Sequence, residues 1–376
     1  MLNLDHIILI DHHCHSLLND FALLDAIGFR QAFSETRSLS MLDKHVPNSV
    51  HYMHMLRQLG IYLDTAGEKQ IIAMRSELGK ADYIQMLFDD ASLGGLIVDA
   101  GFRSSEMMVL DRFSQLCGRP LYQCLRLESI IEDCLVTAGS FEELRSLVHK
   151  KITKPSGPKV VALKTIAAYR GGLDLEVVSV ADANKDFDRA KAQAAQKDFR
   201  IMRCPLYHYL LTEAFELAQS LGFPVQIHSG LGDQDADLRE ANPWCLRPIL
   251  ESRRLAKTNF VFLHCYPYVK EAALLASIYN NVYIDLSLAL TLISPQAGTL
   301  FADALSAAPF TKVLVATDGH SVPETYWYAS HSARQGLTSA LGFMMSQRFL
   351  DEEQAMMAAA CLFHKNAQDL YQLNEI

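Results

Sequence analysis

Four histidines, one lysine and one aspartate of this 376-residue chain stand where they could grip a divalent cation. The apolar run Ile7-Ile8-Leu9-Ile10 leads into Asp11-His12-His13-Cys14-His15. Side chains of a strand alternate between faces, so His13 and His15 share one face while His12 and Cys14 take the other. His12 is therefore left out of the site. His228 closes Val225-Gln226-Ile227-His228, and His264 closes Phe260-Val261-Phe262-Leu263-His264. Asp318 ends Val313-Leu314-Val315-Ala316-Thr317-Asp318, and a carboxylate behind an apolar run is costly to bury unless it is paired or holds a metal. Lys164 lies inside Val160-Val161-Ala162-Leu163-Lys164-Thr165-Ile166, where an ammonium would be poorly solvated. Each residue alone has an ordinary reading, a hydrogen-bonded core histidine or an aspartate capping the next helix. The ordered set His-x-His, Lys, His, His, Asp is much harder to explain that way. Its chemistry would be that of a Lewis acid: a divalent cation lowers the pKa of a bound water toward ~7 and polarises a carbonyl.

Elements must bring these residues together. Eight short apolar runs that end in polar residues are spaced widely enough for helices between them: 7–15, 95–102, 121–128, 160–169, 224–229, 260–266, 282–287 and 313–320. Strands alternating with helices argue an α/β protein with a parallel sheet, and eight is the number that closes a (β/α)8 TIM barrel, whose active sites lie at the carboxyl ends of the strands. Segments 210–221 and 269–279 carry apolar residues at helical spacing. The first connection is too long for one crossover, and its pieces 39–44, 50–59 and 69–78 look helical. Residues of about 22–90 are expected to form a helical insertion after strand 1, within one domain spanning 1–376. A second enlargement, 171–199, follows strand 4, and both are expected to project over the carboxyl end of the barrel. No internal repeat points to a solenoid.

With these motifs in place, the chain resembles the amidohydrolase superfamily, whose metal sites use this ligand order. Leu163-Lys164-Thr165-Ile166-Ala167-Ala168-Tyr169-Arg170-Gly171-Gly172, Gln226-Ile227-His228-Ser229-Gly230-Leu231-Gly232-Asp233, and Thr317-Asp318-Gly319-His320 with Pro323-Glu324 look like its amidohydrolase-2 branch. That branch includes the amidohydrolase domain of nodulin and glutamine-synthetase-like fusion proteins. The resemblance implies a metal-dependent hydrolase acting on C–N, amide-type bonds. It implies that His13, His15 and Asp318 hold one ion, that His228 and His264 hold a second, and that Lys164 bridges them as a carboxylated lysine. A free ammonium has no lone pair for a metal, whereas its carbamate is an anionic oxygen ligand. Mixed imidazole and oxygen ligands suit Zn2+ best, two ions here, with Mn2+, Fe2+ or Ni2+ as alternatives. Asp318 would move the proton of the attacking water to the leaving group, which makes Asp318 and Lys164 the expected catalytic pair. Arg126, Tyr169, Arg170 and His320 are the expected substrate-binding residues, the guanidinium groups suiting a substrate carboxylate. The plain alternative for Arg126 is an ion pair with Glu128. Asp233 and Asp235 are expected on the strand 5 loop as ordinary solvated acids.

Composition narrows the field further. Lys and Arg total 34 against 43 Asp and Glu, a net charge of −9, and no basic block of the kind that tracks phosphates is present. Nucleic acid is not an expected partner; a small-molecule substrate is, with a homodimer as the default assembly. No 18-residue apolar run suggests a membrane span and no signal peptide is evident, so a cytoplasmic location is expected. The 8 cysteines lack a CxxC pair and read as reduced, mostly buried thiols. Competing readings remain: a single-zinc decarboxylase of an aromatic or related acid, a one-metal sugar-acid isomerase, and a non-catalytic ligand-binding barrel.

Overall fold

The computed structural model describes residues 2–373. Seven parallel strands run in sequence order: β1 (Leu9–Cys14), β2 (Leu93–Asp99), β3 (Leu121–Arg126), β4 (Val160–Thr165), β5 (Val225–Ser229), β6 (Phe260–His264) and β7 (Val282–Ile284). Neighbouring strands are consecutive in sequence, so every connection must cross back along the sheet, and helices in those crossovers cover its outer face. The result is an α/β barrel. Leu9, Leu96, Leu163, Ile227 and Phe262 pack outward under the helices. A second buried cluster, Ile10, Ile97, Cys124, Val161, Val261, Leu263 and Leu314, fills the interior, as expected of a packed rather than hollow barrel. Ala367, Leu370, Tyr371 and Leu373 from the end of the chain join that interior cluster.

The expected eighth strand, 313–320, is a correction. The run does lie between β7 and β1: the Leu314 N–H donates to Ile284 O at 2.9 Å, Asp318 N–H to His13 O at 3.1 Å, and His15 N–H to Gly319 O at 2.8 Å. It closes the ring without forming a regular ladder, because its donors are diverted. The Val315 N–H goes to Leu362 O, and Thr317 gives its N–H to the Asp11 carboxylate at 2.9 Å. Asp318 then leaves the extended region altogether, with φ 50°.

Between β1 and β2 the chain forms the helices Ala26–Gln31, Leu39–Lys44, Val50–Tyr62, Glu68–Glu77 and Lys80–Asp90. Two of them are anchored to the long helix Pro323–Ser346 that follows the closing run. Arg75 and Tyr83, both fully buried, meet the buried Glu324 carboxylate, Arg75 Nε at 3.5 Å and the Tyr83 hydroxyl donating at 3.0 Å. The helix expected over 210–221 begins earlier, at Pro205, whose fixed φ and missing N–H suit a first helical turn, and it stops at Gly222 with φ 72°. Segment 171–199 contains the helix Val180–Ala194, capped by Ser179. All 8 cysteines are free thiols, six of them buried. Among the described residues no helix is long and apolar enough to cross a membrane.

Candidate metal centre

The first ligand pair depends on an irregularity in β1. Asp11 pairs with Leu96 and Cys14 with Val98, so β1 carries one more residue than β2 across this interval. Such a bulge breaks the alternation of faces. His12, expected on the far side of the strand from His13, instead reaches into the interior, where its Nδ1 lies 3.1 Å from the hydroxyl of Tyr371. His13 and His15 still approach each other edge to face, with ring centroids 5.1 Å apart.

Asp318 is the point on which the histidines converge. Its Oδ1 lies 3.2 Å from His13 Nε2 and 3.4 Å from His15 Nε2, and its Oδ2 lies 3.9 Å from His264 Nδ1. One ligand atom from each of His13, His15 and Asp318 falls within 4.8 Å of the others, a spacing that fits a single ion. Lys164 sends Nζ to 3.2 Å from His13 Nε2. His228 packs against His264 with ring centroids 4.4 Å apart and against Tyr169 at 4.6 Å. The left-handed φ values of His264 (67°) and Asp318 (50°) turn these side chains off their runs, at a cost of about 1–3 kcal/mol each for non-glycine residues.

Electrostatics prepare these groups to donate electron pairs. Burial lowers His13 to about 4, with the nearby Lys164 adding to the effect, and it pushes His228 and His264 well below the ordinary imidazole value. Neutral rings keep a lone pair for a cation. Burial likewise lowers Lys164, against the pull of Asp99 and Asp318, which favours the free amine. Burial works against charge on Asp318, but His264, His13 and His15 outweigh it and hold the carboxyl well below the usual range. Among the buried polar atoms without a hydrogen-bond partner are two of the centre's own, Asp318 Oδ1 and His228 Nε2. Orphans of that kind are unusual in a folded interior and call for an explanation.

The family model described as amidohydrolase matches residues 179–373, more than half of the 376-residue chain. The chain belongs to the amidohydrolase family, in its amidohydrolase-2 branch. It is 28% identical to the protein FluG of Emericella nidulans over an alignment taking in 98% of this chain and 46% of that protein, so it spans about half the length of this curated relative. A solved structure from Lactobacillus casei, described as a candidate metal-dependent hydrolase, superposes with TM-score 0.89 at 29% identity, covering 98% of this chain and 96% of the other. The uronate isomerase of Thermotoga maritima superposes with TM-score 0.67 at 13% identity, covering 98% and 95%, a likeness of fold alone.

In this amidohydrolase the centre opens into a cavity of about 850 Å3, lined by His15, Lys164, His228, His264 and Asp318 at its floor. Arg126, Tyr169, Arg170 and His320 line it too. Arg126 is paired, though not with Glu128: its Nε and Nη2 donate to Asp99 Oδ2 at 3.0 and 2.6 Å. Glu128 points elsewhere and accepts from Thr165 Oγ1, the Tyr207 hydroxyl and the Ile166 N–H. Arg170 meets Glu132 at 3.2 Å and leaves its buried Nε unpartnered. His320, brought to about 4 by burial, bonds Ser321 through Nδ1 at 2.9 Å. Asp233 and Asp235 do not simply face solvent: both bind Arg37, at 2.5 and 2.9 Å, clasping the chain after β1 to the chain after β5.

Three residues of the site lay outside the sequence expectation. Asp99 closes β2 as Asp318 closes the last run, and that same placement was the available signal. Gln226 stands two before His228, on the same strand face, and accepts from His13 Nδ1 at 2.8 Å. Glu35 projects into the cavity from a loop between helices, where no periodicity marks it.

Proposed function

We propose that this amidohydrolase is a metal-dependent hydrolase that cleaves a C–N, amide-type bond of a small, carboxylate-bearing substrate. The observation that carries the reading is the convergence of His15, Lys164, His228, His264 and Asp318 on one cavity floor, with His13 buried directly behind Asp318 and Lys164. The two orphaned atoms fit it as well, since bound cations would satisfy Asp318 Oδ1 and His228 Nε2. Imidazole nitrogens and carboxylate oxygens are the donor set of zinc, with Mn2+, Fe2+ or Ni2+ as substitutes. His13, His15 and Asp318 would hold one ion and His228 and His264 a second. Lys164 would join the two after its neutral amine adds to carbon dioxide, forming an N–C bond and releasing one proton. Bound there, divalent cations supply a nucleophile at neutral pH and polarise the scissile carbonyl.

The remaining work falls to the chain's own groups. Asp318, held ionised, accepts the proton of the attacking water and returns it to the departing nitrogen. Arg126 keeps Nη1 free of Asp99 and so retains a donor for a substrate carboxylate, and Arg170 lines the same cavity. Tyr169 packs at a tilt against His228 and lines the cavity beside it. The likeness to the Lactobacillus casei protein, described as a metal-dependent hydrolase candidate, supports the same reading.

The test is turnover of a panel of N-acyl and γ-glutamyl amino acids before and after chelation. Activity lost to a chelator and restored by Zn2+ is the expected result. Hydrolysis that survives complete metal removal contradicts the reading. Metal counting on the active protein separates this two-ion chemistry from the one-ion decarboxylase and isomerase alternatives.

A further inference from the structure

We propose that Gln226, held in place by Tyr371 and the His12 carbonyl, is a positioning residue that fixes His13 with its proton on Nδ1 and its Nε2 lone pair facing the centre. The inference rests on the reading of His13 as a metal ligand, and its logic is the direction of each hydrogen bond.

A backbone carbonyl can only accept. The Gln226 side-chain atom 2.6 Å from His12 O must therefore be the amide nitrogen, which spends its second N–H on the Tyr371 hydroxyl at 3.0 Å. The amide cannot be turned round without setting its oxygen against that carbonyl. Its Oε1 is left as an acceptor 2.8 Å from His13 Nδ1, so Nδ1 must carry the hydrogen. The Nε2 lone pair then points toward Asp318 Oδ1 and Lys164 Nζ, each 3.2 Å away.

Tyr371 completes the lock. Its hydroxyl accepts from Gln226 and has its own hydrogen left for His12 Nδ1 at 3.1 Å. His12 Nε2 in turn lies 3.1 Å from Asp285 Oδ2, off the hydrogen-bonding line. Asp285 Oδ1 accepts the N–H of His264, another expected ligand, at 2.6 Å. Every side chain in this path is buried, with His12, His13, Gln226 and Asp285 at 0% exposure, so water offers no substitute partner. The β1 bulge is what makes the path possible, because it lets His12 and His13, adjacent in the chain, both face the interior where Gln226 and Tyr371 lie. Tyr371 comes from the helix Asn366–Tyr371, and so the last turn of the described chain reaches under the metal centre.

Groups that orient a ligating histidine are worth about 10–100-fold in metal affinity. The experiment measures zinc affinity, by competition with a chromogenic chelator, on apo wild type, Gln226→Leu and Tyr371→Phe. In parallel, 15N spectra of histidine-labelled apo protein report the His13 tautomer. The expected result is affinity lower by about 10–100-fold in Gln226→Leu and about tenfold in Tyr371→Phe, with His13 in the Nδ1–H form in wild type and mixed in Gln226→Leu. Wild-type affinity and an unchanged tautomer in the folded variants overturn the inference while leaving the metal reading standing. Wild type that takes up no zinc overturns the metal reading and this inference with it. If Gln226→Leu does not fold, Tyr371→Phe decides alone: unchanged affinity overturns, and a loss supports.

Discussion

Asp318 has neighbours on three sides but no hydrogen bond for Oδ1, and its proposed role as proton carrier makes a sharp demand. Asp318→Asn keeps the shape and removes the base. The variant should lose about 10²–10⁴-fold in kcat, read by steady-state kinetics alongside metal content; full turnover with unchanged metal would refute the role. Glu35 makes a different kind of prediction. Burial raises its carboxyl from 4.5 to about 7, with Asp318 and Asp233 pushing the same way and Arg37 opposing. The folded protein thus keeps a proton that the unfolded chain releases above about 4.5, and stability must fall as pH rises from there through 7. Compared with Glu35→Gln, wild type should lose melting temperature across that window; parallel curves would show that Glu35 does not titrate there. At this scale the sequence was most legible where chemistry and position coincide. His228, His264 and Asp318 each end an apolar run, and the structure brings them to one mouth. Gln226 went unread because an uncharged amide inside a strand carries no mark of its own, and only its partners reveal what it orients.

Among the elements, strand placement followed apolar, β-branched runs closely, and β3 and β6 begin where the pattern begins. Two features left no trace in composition. The bulge in β1 comes from one extra residue in a hydrogen-bond ladder, visible only against β2, and it undoes the expected placing of His12 and His13 on opposite faces. The closing run 313–320 has the residues of a strand, yet Asp11 and Leu362 take the donors that a ladder would need. Helix contacts over the barrel yield a stability prediction. Glu324→Ala would leave the fully buried Arg75 guanidinium without its carboxylate, a loss of about 3–5 kcal/mol. Denaturant unfolding measures it, and a change below about 1 kcal/mol would show that the pair does not fasten these helices. Gly230, at φ 70° and close against the Tyr266 carbonyl after β6, should tolerate alanine equally poorly.

At the scale of the whole molecule, the sequence positions supplying the centre run from His13 to Asp318, and the supporting Tyr371 lies further still. Only closure of the sheet brings them together, which is why a chain-wide resemblance carried more information here than any local motif. Tyr371 itself was illegible, since nothing in Asn366–Tyr371 distinguishes a helix that enters the barrel interior from one that packs on its surface. A ligand bound only by the folded state stabilises it by mass action. Zinc at about a thousandfold over its dissociation constant should therefore raise stability by about 4 kcal/mol, seen as a higher melting temperature than that of chelated protein. The most direct test of the central claim is metal content per chain, by elemental analysis, of apo protein reconstituted with zinc in bicarbonate, for wild type and Lys164→Ala. About two zinc ions in wild type, with the carbon dioxide adduct on Lys164 seen by crystallography and a lower count in the variant, is the predicted result. A wild-type protein that remains metal-free after zinc is supplied would contradict the account.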